Sequence, residues 1–358
     1  MNGARVDTEN KNGFTPLLAA AQNGHTEVCE LLLKTGKASL KKTTPDGGNP
    51  LMVAAHRGHT EVCKLLLKTQ ISNGLTIYNL EETDSHGMTA LNVAATHGHS
   101  NTVALLLSKG AKLETRNTKG FTPVMAAVQY GHTEVCKLLL ETGKANVTER
   151  NPDGLTPLLA AARKGHTEVC ELLLDKSRVN IEDTMEDEST ALKLAAQKGH
   201  ASTVALLLSR GARTGARSKR GFTPLMEAVE NGCTEVCQLL LTANSEVEDK
   251  DPKMQFTALH LAAIYNYEKV ILLLLLHKAD VNSRARKGTT PLVLASQQGH
   301  VASVVTLLNS GADPLLAEDD GCFPIHAAAD SNHWEVVRIL IEQGRCSPDQ
   351  VKHVQIGP

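Results

Sequence analysis

Four times in this sequence a histidine stands four residues before a cysteine: His25 and Cys29, His59 and Cys63, His132 and Cys136, His166 and Cys170. On a helix, residues four apart share one face. Imidazole and thiolate are also the donors that tetrahedral zinc takes, normally four at a time. Two neighbouring segments would nominally supply two ligands each. Nucleophilic catalysis uses the same residue types, but nothing else in the chain completes a catalytic set. No Gly-rich phosphate loop precedes a Lys, no Gly-x-Ser-x-Gly occurs, and no separate segment is large enough for an enzyme domain.

Each pair lies inside a longer phrase that recurs. GFTPLLAAAQNGHTEVCELLLKTGKA, at Gly13 to Ala38, returns as GFTPVMAAVQYGHTEVCKLLLETGKA at Gly120 to Ala145. Its Thr-Pro register falls at Thr15, Asn49, Thr89, Thr122, Thr156, Thr190, Thr223, Thr257, Thr290 and Phe323, with steps of 33 or 34 residues and a single step of 40. Thr122 suits a helix N-cap and Pro123 the first helical position. VMAAVQY then continues as a short helix that Gly131 can end in the left-handed conformation. A second helix, TEVCKLLLET, carries Glu134 near its positive end. Helices of two or three turns do not persist alone. Val135, Leu138, Leu139 and Leu140 cover more than one side of the second helix, so each unit must stack on its neighbours. Units also repeat in threes: NTVALLLSKGAK at Asn101 to Lys112 returns 101 residues later as STVALLLSRGAR. Block duplication explains the doubled phrase and carries no function.

Ten copies at about 33 residues, with TALHLAA at Thr257 to Ala263, resemble the ankyrin repeat family, whose signature is T-P-L-H-x-A. GADP at Gly311 to Pro314 and KADVN at Lys278 to Asn282 resemble that family's loop segment. The resemblance covers residues from about Asn10 to about Cys346, leaving 347–358 as a C-terminal tail. It implies an all-α fold: an ankyrin-repeat solenoid of stacked helix-turn-helix units with projecting β-hairpin fingers. It also recasts the histidines. In the family the His of Gly-His hydrogen-bonds backbone across the inter-helix turn, and His99, His200 and His300 keep it where no Cys follows. The Cys stands at a register the family fills with small apolar residues, as a buried free thiol would. Neither a zinc site nor a disulfide is therefore expected, since stacked helices lie about 8–10 Å apart and bridged Cα atoms within about 7 Å. Cys233 is the exception. It replaces the turn His and is expected to be the least buried and most reactive thiol.

What the resemblance implies for function is binding of another protein, on the concave side formed by finger tips and first helices. The residue before Thr-Pro is Phe14, Met88, Phe121, Leu155, Phe222 and Phe256 in six repeats. These side chains brace neighbouring fingers, form an apolar contact line, or do both. The positions before Gly-His vary more and include Tyr130, the pair Arg163 and Lys164, and Tyr265. The expected role is a non-catalytic scaffold or adaptor with no cofactor. The alternatives are a ligand- or metal-sensing array, or the ankyrin portion of a larger enzyme or signalling protein. With 37 basic and 39 acidic residues, charge gives no reason to expect nucleic acid. The longest apolar run, VILLLLL, is far below the roughly 20 residues of a membrane span. No secretory signal is evident, which points to the cytoplasm or nucleus.

Four departures from the pattern remain. The 40-residue step places about six inserted residues near Thr69 to Glu82. Repeat eight reads IYNYEKV, losing the turn Gly and His at Asn266 and Tyr267. The first repeat is as apolar as internal ones, so either residues 1–12 shield it or the chain is cut from a longer protein. Finally, Leu274, Asp280, Val281 and Asn282 resemble the pattern that an asparaginyl hydroxylase modifies in ankyrin repeats, at Asn282; a turn-forming role for that Asn is the alternative.

Overall fold

The structure is a computed structural model and describes residues 6–35, 38–68, 79–142, 145–176 and 179–343. Twenty α-helices run through these residues in ten pairs. The first five pairs are α1 (Pro16–Gln22) with α2 (Thr26–Lys34), α3 (Pro50–Arg57) with α4 (Thr60–Lys68), α5 (Ala90–Thr96) with α6 (Ser100–Ser108), α7 (Pro123–Gln129) with α8 (Thr133–Glu141), and α9 (Pro157–Lys164) with α10 (Thr167–Lys176). The remaining five are α11 (Ala191–Gln197) with α12 (Ala201–Ser209), α13 (Pro224–Glu230) with α14 (Thr234–Thr242), α15 (Ala258–Ile264) with α16 (Glu268–Leu276), α17 (Pro291–Gln297) with α18 (Val301–Asn309), and α19 (Pro324–Asp330) with α20 (Trp334–Glu342). The chain forms two compact units, residues 1–161 with 166–180, and residues 162–165 with 181–358.

In each unit, first helices pack on first helices and second on second: α1, α3, α5 and α7 form one row of the first unit, and α11, α13, α15, α17 and α19 one row of the second. Local chemistry starts most first helices the same way, with a side-chain cap; α15 and α19, with Thr257 and Phe323 at the N-cap, lack this bond. The Thr15 hydroxyl accepts the Leu18 N–H at 3.3 Å and Thr223 accepts that of Met226 at 3.3 Å. Asn49 does the same for Met52 at 2.9 Å, so the one Asn in a Thr register still caps. Burial follows the repeat. Val62, Val135, Val169, Val236 and Val270 occupy one register and are all buried between second helices. Each such side chain contributes about 1.5–3 kcal/mol. In the first repeat that register is Val28, which is 46% exposed, and Leu31 beside it is 65% exposed. The described residues of the N-terminal segment therefore do not shield the first repeat.

The Gly-His dipeptide joins repeats. Each Gly follows a first helix at positive φ, and in most repeats the imidazole of the next repeat lies against it; at Gly199 the Cys233 side chain takes that place. A Cβ on Gly131 would stand 2.6 Å from His166 Nδ1, and one on Gly24 would stand 2.6 Å from His59 Nδ1. The other ring nitrogen then donates to a carbonyl two residues before that Gly: His59 Nε2 to Gln22 O at 3.0 Å, His132 to Thr96 O at 2.9 Å, His200 to Arg163 O at 3.1 Å. The bond thus crosses the interface between repeats, whereas the resemblance implies one across the turn inside a repeat. Repeat eight keeps the geometry with other residues. Asn266 takes the left-handed conformation at φ 60°, and the Tyr267 ring lies against Gly232 where an imidazole sits elsewhere.

The fingers differ from the β-hairpins implied by the resemblance. Among the described residues the single strand-type pairing is the bridge between Thr184 and Thr190. Each tip is instead a short loop closed by its first residue. Asn117 N–H donates to Phe121 O at 3.0 Å, and its Oδ1 accepts the N–H groups of Lys119 and Phe121 at 3.0 and 2.9 Å. The tip N–H that would extend a ladder goes to the preceding finger, as Thr118 N–H to His86 O at 2.8 Å. Most of the inserted stretch, residues 69–78, and the tail 347–358 lie outside the described residues.

The cysteines follow the apolar register. Cys29, Cys63, Cys136, Cys170 and Cys237 are buried, and burial pushes the Cys29 thiol up to about 11 and the other four up to about 12. Cys233 is half-buried, as is Cys322 in the last repeat's finger. Two outcomes are expected. Gly131→Ala should cost about 1–3 kcal/mol more in urea denaturation than Gly110→Ala. Both residues have positive φ, which strains an L side chain by about 1–2 kcal/mol. Only Gly131 has an imidazole to displace, with its bond worth about 1–3 kcal/mol when left unmade; Gly110 has nothing within 4 Å. Equal costs would refute the contact's role. A thiol reagent should modify Cys233 and Cys322 in folded protein and the five buried thiols only on unfolding; early labelling of Cys136 would contradict the packing.

Candidate partner-binding face

The face in question is built by finger tips and by the C-terminal ends of first helices. The tips are positioned by their capped loops, and the helix ends by the Gly-imidazole contact just beyond them. Both leave the residues before Thr-Pro and before Gly-His free to vary.

In the first unit, Phe14, Met88 and Phe121 are half-buried, and Tyr130 at the end of α7 is 60% exposed. Met88, Phe121 and Tyr130 line one cavity of about 450 Å³ with His86, Lys119 and Gln129. Asn117 Nδ2 lies 3.3 Å from Met88 Sδ and holds the thioether in the wall. The Tyr130 ring lies 6.2 Å from that of His132 at an interplanar angle of 27°, and most of it stays exposed. A smaller cavity of about 170 Å³ involves Phe14, Met52, His56, Arg57 and Asp84. Leu155 is different. At 1% exposure it is part of the core, and of the two roles open to that register it fills the bracing one.

In the second unit, Phe222 is also buried. The Arg220 guanidinium lies over its ring at 4.3 Å and pairs with Glu230 at 2.9 and 3.3 Å, closing the aromatic off. Phe256 is half-buried and stacks on His260 at 5.5 Å. His260 Nε2 donates to Thr289 O at 3.1 Å, and burial holds that imidazole down to about 4, hence neutral. Tyr265 is 42% exposed and stacks on Tyr267. Arg163 is half-buried and Lys164 exposed. Thus Tyr130 and Tyr265 are exposed, Phe14, Met88, Phe121 and Phe256 are partly accessible, and Leu155 and Phe222 are buried.

Asn282 is tied into the neighbouring repeat. Its Oδ1 accepts the Asp313 N–H at 2.8 Å, and its Nδ2 lies 3.5 Å from Gly311 O, so its side chain bridges to the next repeat's loop, while Asp280 Oδ1 accepts the Asn282 N–H within the turn. Two features escaped the sequence reading. Met254, at a finger tip, is an exposed apolar side chain with no register to announce it. Lys193 of α11 and Glu227 of α13 form a buried ion pair at 3.0 Å, with Lys193 also donating to Ser189 Oγ at 2.9 Å. Their signal was a charge at registers that are Leu159 and Leu194 in other repeats. Removing one partner of such a pair costs about 3–5 kcal/mol. Among the described residues, no three His, Cys, Asp or Glu side chains come together as metal ligands, and no helix is long and apolar enough to cross a membrane.

Comparison with known proteins agrees with this architecture. The family described as ankyrin repeats (3 copies) matches in overlapping stretches, from residues 1–77 through to residues 259–352. Ankyrin repeat and KH domain-containing protein mask-1 of Caenorhabditis elegans is 34% identical over 136 residues, which are 37% of this chain and 5% of that protein. Ankyrin repeat and SOCS box protein 6 of Mus musculus is 33% identical over 126 residues, 33% of this chain and 30% of that protein. B-cell lymphoma 3 protein homolog of Mus musculus is 34% identical over 122 residues, 34% of this chain and 27% of that protein. The matched stretches span less than a third of these relatives' own lengths. With its period, its capped helix pairs and its inter-repeat imidazoles all in one register, the chain belongs to the ankyrin repeat family.

Proposed function

We propose that this chain is a non-catalytic adaptor that holds a partner protein along its finger tips and first-helix ends. Ankyrin repeats are typically a protein-interaction module, and the relatives carry them, by their names, beside a KH domain or a SOCS box. The observation that carries the reading is the Tyr130 site: a phenol 60% exposed, beside the His132 ring, lining a cavity with Met88 and Phe121. Interface hot spots are rich in Tyr, and they favour side chains already held in place. The absence of catalysis is supported by what the reactive residues are doing. The turn imidazoles donate to backbone carbonyls, and the register thiols are buried with raised pKa values.

The test is capture of binding partners from cell lysate by the purified chain, with quantitative mass spectrometry. Tyr130→Ala and Met88→Ala should each lower recovery of the main partner about tenfold or more, a hot-spot loss of about 1.4 kcal/mol or above. Leu276→Ala removes an exposed apolar side chain from a second helix and should leave recovery unchanged. Melting temperatures of all three should stay within a few degrees of the parent. Full recovery with the Tyr130 and Met88 variants would refute the proposed surface.

A further inference from the structure

The second unit holds a row of finger tips that the Tyr130 site does not use. The tips of repeats seven, eight and nine are the loops 218–222, 251–256 and 285–289, and each touches the next. Pro252 of repeat eight lies against Gly221 of repeat seven. The Arg286 N–H of repeat nine donates to Met254 O of repeat eight at 2.9 Å, and its guanidinium to Pro252 O at 3.5 Å. The tip of repeat eight is one residue longer than the others. Asp251 N–H donates to Phe256 O, five residues on, where Asn117 and Ser218 span four. Lys253 and Met254 together fill the place of one residue, and Met254 is 42% exposed. Its backbone is nonetheless pinned: the buried Asp251 carboxylate accepts the N–H groups of Lys253, Met254 and Phe256 at 2.9, 2.8 and 2.6 Å.

Four cations stand unmatched on these three tips. Lys219, Lys253, Arg286 and Lys287 are all exposed. Among the described residues the three lysines form no ion pair, and Arg286 meets only the Pro252 carbonyl. Arg217, Arg220 and Arg284 are already matched, by Asp249, by Glu230 at 2.9 Å and by Asp319 at 3.5 Å. Asp251, the one acid within the three loops, is buried and engaged by backbone. The charge on this stretch is therefore not balanced. It is bounded instead. The tip of repeat six, joined through Lys219 N–H to Asp187 O at 2.9 Å, carries Glu186, Asp187 and Glu188. The tip of repeat ten, joined through Asp319 N–H to Lys287 O at 2.8 Å, carries Asp319 and Asp320.

We infer that this stretch docks a short acidic segment of a partner protein, with carboxylates meeting Lys219, Lys253, Arg286 and Lys287 and an apolar side chain set against Met254. The inference rests on reading the finger tips as a protein-binding face, and it adds a second contact, in the second unit, with its own chemistry. Cations on neighbouring tips repel one another in the free protein; carboxylates laid between them relieve that repulsion and steer the encounter. One exposed ion pair contributes only about 0–1 kcal/mol, so docking needs several carboxylates and the Met254 contact together. A thioether adapts its shape to the side chain that meets it.

The acidic tips on either side decide between the polyanions that a basic row could take. Stacked helices lie about 10 Å apart, so three tips span about 20 Å, the length of about six extended residues. A nucleic acid continuing past that length would run its phosphates onto Asp187 or Asp319. A peptide can change its charge from one residue to the next, so a short acidic run fits between the two acidic tips.

The probes are three fluorescent peptides, tested on the full chain by anisotropy: a central Leu between short runs of Glu, the same with Gln for Glu, and the first with Ser for Leu. At low salt the Glu peptide should bind about tenfold or more tightly than the Gln peptide, and high salt should remove most of that difference. Lys253→Gln with Lys287→Gln should weaken the Glu peptide about fivefold or more. Lys64→Gln with Lys137→Gln removes the same charge from the second helices α4 and α8 and should change its affinity less than about twofold. Met254→Ala should weaken the Glu peptide with Leu about threefold and leave the one with Ser unchanged. Equal affinity for the Glu and Gln peptides, or equal losses from the two lysine pairs, would overturn the proposal. So would a single-stranded oligonucleotide that binds more tightly than the Glu peptide and depends on Lys253 and Lys287. No effect of Met254→Ala would overturn the place given to the apolar side chain. These failures would leave the protein-binding reading standing, because lysate capture tests it through Tyr130 and Met88 in the first unit. Tip-dependent binding of the Glu peptide beside capture indifferent to Tyr130 and Met88 would place the failure in the first-unit surface.

Discussion

One contact organises the whole chain: a glycine without a side chain receiving the imidazole of the next repeat. The glycine does two things that no other residue does together. It turns the backbone at positive φ after the first helix, and it leaves the space a Cβ would fill. The ring in that space satisfies a carbonyl of the preceding helix end, one of the groups a short helix cannot satisfy itself. Each repeat's turn is therefore completed by a side chain from its neighbour. This is the structural form of nearest-neighbour stability in a repeat protein. It also explains why the His and Cys at zinc-like spacing play such different parts. The imidazole faces the neighbouring repeat's backbone, while the thiol faces the core between second helices.

Because the contact fixes the backbone from both sides, the residues flanking it are released from structural duty. Those before Gly-His stand at helix ends already held in place, and those before Thr-Pro stand on tips already closed by their own loops, with Asx turns at Asn10, Asp84, Asn117, Asn151 and Asp251. That freedom is used unevenly. At Leu155 and Phe222 the side chain folds inward; at Phe222 the Arg220 and Glu230 pair covers it. At Tyr130 the ring stays exposed, with the His132 ring beside it at 6.2 Å. Identical backbone thus presents apolar anchors in some repeats and sealed surface in others.

Substitutions inside the repeat show which part of the contact is indispensable. Asn266 replaces the glycine and keeps the turn, since Asn tolerates the left-handed region. His300 still donates to Ile264 O at 2.8 Å above it, and Asn266 Oδ1 accepts the Ser303 hydroxyl at 2.8 Å. Cys233 and Tyr267 replace the imidazole and fill the same space against glycine. Filling that space is therefore the constant feature, and the ring's hydrogen bond is an addition most repeats make.

The period, the helix pairs, their caps and the apolar register of the cysteines were all legible in the sequence, because each depends on residues within one repeat or on their recurrence. Thr122, Pro123 and Gly131 specify one helix, and ten copies in one register specify stacking. The direction of the imidazole bond was not legible: His132 reaches a carbonyl 36 residues away, and spacing within a repeat carries no sign of it. Nor was the finger's form, because whether a tip N–H pairs across its own loop or with the preceding finger depends on where that finger lies. Above all, the sequence put Leu155, Phe222 and Phe121 in one register, and the first two are buried while the third is half-buried. Only the tertiary structure separated them, because exposure is decided by what neighbouring repeats place over a side chain and not by the register it occupies.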